Sequence, residues 1–147
     1  MVVAVTLLIL PFVLYSGDMI MVVTSDSMLP VLEPYDMIVV KKISIEQARV
    51  GDIIVFNTHM EGIDIVAHRA IEVFDDHGEV GISTKGDNVN DPDGWIVHDE
   101  DFIGNVVNIA PGIGVFLIEP VRYGIVAVIV ITAISLLREV TAKPKTV

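Results

Sequence analysis

Apolar residues fill both ends of this chain almost without interruption and alternate with polar ones in between. Residues 1–15, MVVAVTLLILPFVLY, carry no charged side chain, and a second apolar group, MIMVV, follows at 19–23. Fifteen residues fall short of the roughly 20 that a membrane-spanning helix uses. The stretch lacks a basic leader and a small-residue cleavage site, so a removable signal peptide describes it poorly. It reads as a membrane helix missing part of its cytoplasmic end, with a buried core helix as the competing reading. Residues 121–137, VRYGIVAVIVITAISLL, are too long for an ordinary strand and hold no charge after Arg122, which predicts a second span. Beyond it Arg138, Lys143 and Lys145 outnumber Glu139, and basic residues flanking a span favour the cytoplasmic side.

Between the apolar ends the period changes. DMIVVKK (36–42), GDIIVFN (51–57), IDIVAHRAIEVF (63–74), EVGIST (79–84) and FIGNVVNIA (102–110) are short, rich in β-branched residues and bounded by Gly, Asp, Asn or Pro. That pattern predicts antiparallel strands. Gly51-Asp52 and Asp76-His77-Gly78 read as turns, the second closing a hairpin, and SIEQARVGD supplies one helical turn. In the 63–74 segment, alternation assigns Val66, His68, Ala70 and Glu72 to one face and Ile65, Ala67, Arg69, Ile71 and Val73 to the other. A histidine and an arginine inside a strand apolar on both sides break the simple pattern. A hydrogen-bonded structural histidine and a functional one both account for such a break.

Composition agrees with lipid contact. The 147 residues suit one domain, and a mean hydropathy of +0.66 is high for a soluble one. Residues 18–119 hold 19 acids against five bases, Lys41, Lys42, Arg49, Arg69 and Lys85, a net of −14 that repels nucleic acid. If both ends enter the membrane from the cytoplasm, this acidic middle faces outward. There is no cysteine, which excludes a disulfide framework, a thiol nucleophile and a Cys-based metal site.

The candidate chemistry centres on two serines, a histidine and an aspartate-rich loop. Ser25 and Ser27, one residue apart in TSDSM, leave the first apolar run; taken alone they read best as a polar turn or a cap after a helix. A serine becomes a nucleophile only with a base to take its proton and donors to hold the oxyanion. His68 is the candidate base, since an imidazole of ordinary pKa ~6.5 accepts and returns a proton near neutrality. His59, His77 and His98 lie in turns or in the acidic run HDED and read as solvated. TKGDNVNDPDGW (84–95) places Asp87, Asp91 and Asp93 in an irregular loop. Such a loop serves as a plain turn, as a weak Ca²⁺ site, or as the source of the carboxylate that orients a catalytic histidine. A serine–lysine dyad is disfavoured, because Lys41 and Lys42 sit at a strand end and Lys85 lies beside Asp87, which keeps it charged.

Taken in order, SDSM, GDIIVF (51–56), AHR (67–69), TKGDNVNDPDGW (84–95) and DFIGNVVNIAPGIGVFL (101–117) resemble the boxes of the type I signal peptidases of archaeal and endoplasmic-reticulum type. The resemblance covers about residues 20–118 and implies a mainly β fold: a signal-peptidase-like antiparallel β catalytic domain flanked by N- and C-terminal transmembrane helices. It implies Ser27 as nucleophile, an oxyanion hole of Ser25 Oγ and the Ser27 backbone N–H, and His68 as base. Two aspartates of the family's loop fall on Asp87 and Asp93, with Asp93 expected to orient His68 and Asp87 to act as a supporting acid. The box departs from the family's S-G-S-M-E-P at Asp26 and Leu29, and Asp91 adds a third acid to the loop.

The expected layout is an N-terminal anchor over 1–23, a catalytic β domain over 24–118 outside the cytoplasm, a transmembrane helix over 119–138 and a basic cytoplasmic tail over 139–147. The implied activity is serine endopeptidase cleavage of signal peptides from exported precursors after small residues, at a membrane, with no metal or cofactor. The implied partners are precursor signal peptides, membrane lipid and the protein translocation machinery. The absence of cysteine and the short chain lean toward an archaeal plasma membrane, with the endoplasmic reticulum as the alternative. Competing functions are a related membrane-tethered serine protease with another precursor, and a non-catalytic β module that binds partners.

Overall fold

The structure is a computed structural model and describes residues 17–60, 63–119 and 121–142. The chain divides into two units, Met1–Gly114 and Val115–Val147. In the first, seven strands form one antiparallel sheet: β1 (Met19–Val22), β2 (Met37–Lys41), β3 (Ile53–Met60), β4 (Ile63–Asp76), β5 (Glu79–Lys85), β6 (Ile96–Val97) and β7 (Phe102–Ala110). Their spatial order is β1-β2-β7-β3-β4-β5-β6. The five segments with strong β-branched character became β2, β3, β4, β5 and β7. Residues 19–22, assigned to the anchor on apolarity, instead pair with β2 from Met19↔Val40 to Val22↔Met37. An apolar run of four carries no information on whether lipid or a sheet covers it. Residues 1–16, the remainder of the expected anchor that precedes Gly17, lie outside the described residues.

Both faces of the sheet are apolar, which explains why β3 and β4 lack a polar side. On one face Ile45, Ala48, Ile54, Phe56, Ala70, Ile82 and Val97 are buried together, with Val66, Val73 and Trp95 packed against them. On the other, Met28, Leu32, Ile38, Val40 and Val55 are buried, joined by Ala67 and Ile53. The expected alternation holds along β4 up to Ala70. There a bulge leaves Ile71 without an opposite residue, because Ala70 pairs with Thr84 while Glu72 pairs with Ser83. A bulge inverts the phase of everything after it, so Val73, not Glu72, shares the core face with Val66 and Ala70.

Turn residues set the connections. The β4–β5 hairpin closes at His77 and Gly78, with φ of 58° and 96°, and the Gly78 N–H donates to Asp75 Oδ1. Ile45–Gln47 form the expected helical turn, of the tighter 3-10 kind. β5 begins its pairing opposite Arg69, so among the described residues the segment 65–68 of β4 has ladder partners on the β3 side alone. This leaves a length of open strand edge beside His68.

The second unit contains α1 (Val121–Ala142), of 22 residues, which at 1.5 Å per residue is about 33 Å long. Its window Val121–Arg138 has mean hydropathy 1.9, and α1 is the one helix among the described residues long and apolar enough to cross a membrane. The helix runs four residues past the expected end at 138, through part of the segment read as a tail. Residues 143–147 lie outside the described residues.

Candidate active site

Ser27 sits in an excursion of the chain between β1 and β2 that is tied at its base. The Val23 N–H donates to the Asp36 carbonyl and the Tyr35 N–H to that of Val23, at 2.9 and 2.8 Å. Asp36 is nearly buried, and its carboxylate accepts from the N–H groups of Glu33 and Gly112. Met28 and Leu32 anchor the excursion in the core beneath; burying each contributes about 1.5–3 kcal/mol. A residue adjoining a buried anchor and closed at both ends has little freedom, which is what a nucleophile requires.

His68 projects from the middle of β4, opposite Ile54. Its ring meets Phe56 edge to face, with centroids 6.5 Å apart. Asp93 lies in the loop after β5, where its N–H donates to the Thr84 carbonyl at 2.8 Å. The three side chains form a continuous relay. Ser27 Oγ is 3.0 Å from His68 Nε2, and His68 Nδ1 is 2.7 Å from Asp93 Oδ2. An ionised carboxylate accepts only, so Nδ1 carries the proton and Nε2 is free to accept from the serine hydroxyl. The His68 and Asp93 side chains are 10% and 9% exposed. Thr84 Oγ1 donates to the same carboxylate oxygen at 2.6 Å, fixing its orientation. Ser25, exposed at the cleft, has its Oγ 3.3 Å from Ser27 Oγ.

Of the three loop acids, then, the structure brings Asp93 to His68. Asp91 is exposed. Asp87 serves Arg69 instead, in a two-pronged pair of 2.8 Å to Nε and 2.5 Å to the terminal nitrogen. Arg69 also donates to the Gly51 carbonyl at 2.7 Å, so the pair joins the aspartate loop to the turn before β3. The Arg69 hydrogen bonds hold the Asp87 carboxyl below its ordinary value of 3.8, and Asp87 pushes the guanidinium up in turn. A depressed folded pKa stabilises the fold fully above the ordinary value and loses that contribution as pH falls through the folded one. We therefore expect Asp87→Asn to lose about 1.5–3 kcal/mol at neutral pH. The gap to the parent should narrow as pH falls below 3.8. Urea titrations across that window check this, and a gap independent of pH would refute the ion-pair account.

Several contributors escaped sequence reasoning. Gly86 is one: a Cβ there would stand 2.6 Å from the Ser27 carbonyl oxygen and 3.2 Å from His68 Nε2, so only glycine lets the aspartate loop lie against Ser27. Asn88 is another. Its N–H donates to the Ser27 carbonyl at 2.8 Å, and its amide donates to that of Asp26 at 3.1 Å. The position of Asp26 is thus used through its backbone while its side chain is exposed, which accounts for an aspartate being accommodated between the serines. Nothing in Gly-Asp-Asn as a sequence distinguishes this packing from an ordinary turn. The acidic run at 98–101 forms no metal cluster among the described residues; His98 faces Asp76 at 3.4 Å and His59 faces Asp101 at 2.7 Å.

Beside the relay lies a cleft of about 670 Å³. Met28, Leu32, Val55 and Ala67 contribute one side of it, from the Met28 core; Val66 and Trp95, from the opposite core, contribute the other. The open edge of β4 runs between them. Chemically, the arrangement can deprotonate a serine, add it to a carbonyl at the cleft and return the proton to a leaving group. No protein-family model matches this chain and no curated protein matches it, so the chemistry of the site stands on its own residues.

Proposed function

We propose that this chain is a membrane-bound serine endopeptidase of the signal peptidase I type, acting on the signal peptides of exported precursors. The observation that carries the reading is the relay itself, Ser27 Oγ to His68 Nε2 at 3.0 Å and His68 Nδ1 to Asp93 Oδ2 at 2.7 Å, opening on an apolar cleft. In the proposed reaction Ser27 Oγ attacks the scissile carbonyl as its proton passes to His68. The imidazolium then protonates the leaving amine, and water deprotonated by His68 releases the acyl group and restores the hydroxyl. Ser25 Oγ and the Ser27 N–H are the proposed oxyanion donors.

The open edge of β4 supports a peptide substrate, because an extended segment can satisfy the unpaired backbone groups of 65–68 by adding a strand. The apolar helix α1 supports a membrane setting, since enzyme and membrane-embedded substrate confined to one plane meet at raised effective concentration. The proposed arrangement has both chain ends in an archaeal plasma membrane and the β domain on its outer side. Incubating the full chain, reconstituted in lipid, with a secretory precursor tests the proposal. Release of the mature protein by a cut after a small residue is expected, and an intact precursor at enzyme excess would refute it.

A further inference from the structure

Trp95 is the one tryptophan in the chain, and its placement is not explained by the relay. It lies between two fixed points. Two residues before it, Asp93 is held by His68 and Thr84; directly after it, Ile96 and Val97 pair with Ser83 and Ile82. The indole packs against Phe56, centroids 6.4 Å apart, and Phe56 in turn meets the His68 ring. One part of the indole faces the cleft. Its Nε1–H is buried and has no acceptor among the described residues. A buried donor without a partner costs about 1–3 kcal/mol, so a native structure that keeps one calls for a reason.

We infer that Trp95 is a substrate-positioning residue that selects an apolar side chain next to the scissile residue. The inference rests on the peptidase reading and adds to it a second point of recognition. An extended peptide lying along 65–68 of β4 sends alternate side chains to opposite faces. One set enters the side walled by Met28, Leu32 and Ala67, and the other meets Val66 and Trp95. With the residue attacked by Ser27 on the Met28 side, its neighbour in the peptide lies against the indole. An apolar side chain there buries surface against the ring, whereas a carboxylate would lose its hydration against an apolar wall. Among the described residues no acceptor holds its N–H, so a shift of the ring on peptide binding breaks no existing hydrogen bond and can bring the N–H to a backbone carbonyl of the bound peptide.

The test uses the full-length chain in lipid and a matched set of peptides carrying Leu or Asp at each position flanking the scissile residue. In the Ser27→Ala variant, which binds without turnover, Trp95 emission should shift on adding the Leu peptides and stay unchanged with the Asp peptides at equal concentration. In the active chain, Trp95→Ala should raise KM for the best Leu peptide roughly ten-fold or more with a smaller change in kcat, and flatten the Leu-over-Asp preference. Trp95→Phe should restore the preference while keeping part of the KM increase, since it returns the ring without the N–H. Cleavage of the Leu peptides with silent emission and an unaltered preference in Trp95→Ala would overturn the inference and leave the peptidase reading standing. A selective emission shift without cleavage by the parent chain would support peptide recognition at Trp95 and refute the peptidase reading. Absence of both would overturn both.

Discussion

Replacing Ser27 by Ala, or His68 by Ala, is expected to lower precursor cleavage on the order of 10⁵-fold or more while leaving the fold intact. Ser27 Oγ lies 3.0 Å from His68 Nε2, so in the proposed mechanism each residue is useless for covalent catalysis without the other. The double variant should accordingly be no slower than either single one, because groups acting as a unit do not contribute additively. Neither change removes an anchor of the core: Met28 and Leu32 hold the excursion that carries Ser27, and β4 keeps its ladder whatever side chain occupies position 68. Single-turnover cleavage together with circular dichroism and thermal unfolding makes the check. Cleavage within ten-fold of the parent by either variant, with unchanged unfolding, would remove the relay from the mechanism.

The second large effect is expected at Asp93. Asp93→Asn keeps the volume, but one atom, Oδ2, serves both His68 Nδ1 and Thr84 Oγ1; an amide nitrogen in its place gives up the Thr84 bond and presents a donor to Nδ1. That favours the tautomer with the proton on Nε2, the atom that must be empty to accept from Ser27. A loss of about 10⁴-fold in kcat follows, with little change in KM. Asp91→Asn, altering an exposed side chain, should stay within about two-fold. Asp87→Asn should act through stability and loop position, with its deficit partly recovered at lower temperature, because its carboxylate meets Arg69 and not the imidazole. Full turnover by Asp93→Asn would mean that another group orients His68.

How far these features were legible differs from one residue to the next. β4 and β7 announced themselves because β-branched runs bounded by turn residues leave few alternatives. β1 did not, since four apolar residues behind a longer apolar run look the same in lipid and in a sheet. The face assignment along β4 failed at Ile71, as a bulge is set by how β5 pairs and leaves no mark on β4. Ser27, His68 and the aspartate loop were individually ambiguous and became informative only as an ordered set. The choice of Asp93 over Asp87 and Asp91 matches the geometry, but the reason lies in partners far along the chain. Asp87 is claimed by Arg69, and Thr84 delivers Asp93. Gly86, Thr84, Asn88 and Trp95 act through contacts that exist only after the sheet has formed, so no local pattern could single them out.

The way Gly86 and Asn88 close over Ser27 also has a meaning in time. During synthesis the serine emerges first, its base 41 positions later, and the acid a further 25. Until the loop bearing residues 86–93 has been made and docked, the hydroxyl has no orienting carboxylate behind its base and no loop fixing its carbonyl. On the proposed reading, a growing chain of this sequence lacks its complete relay until the aspartate loop docks onto the sheet.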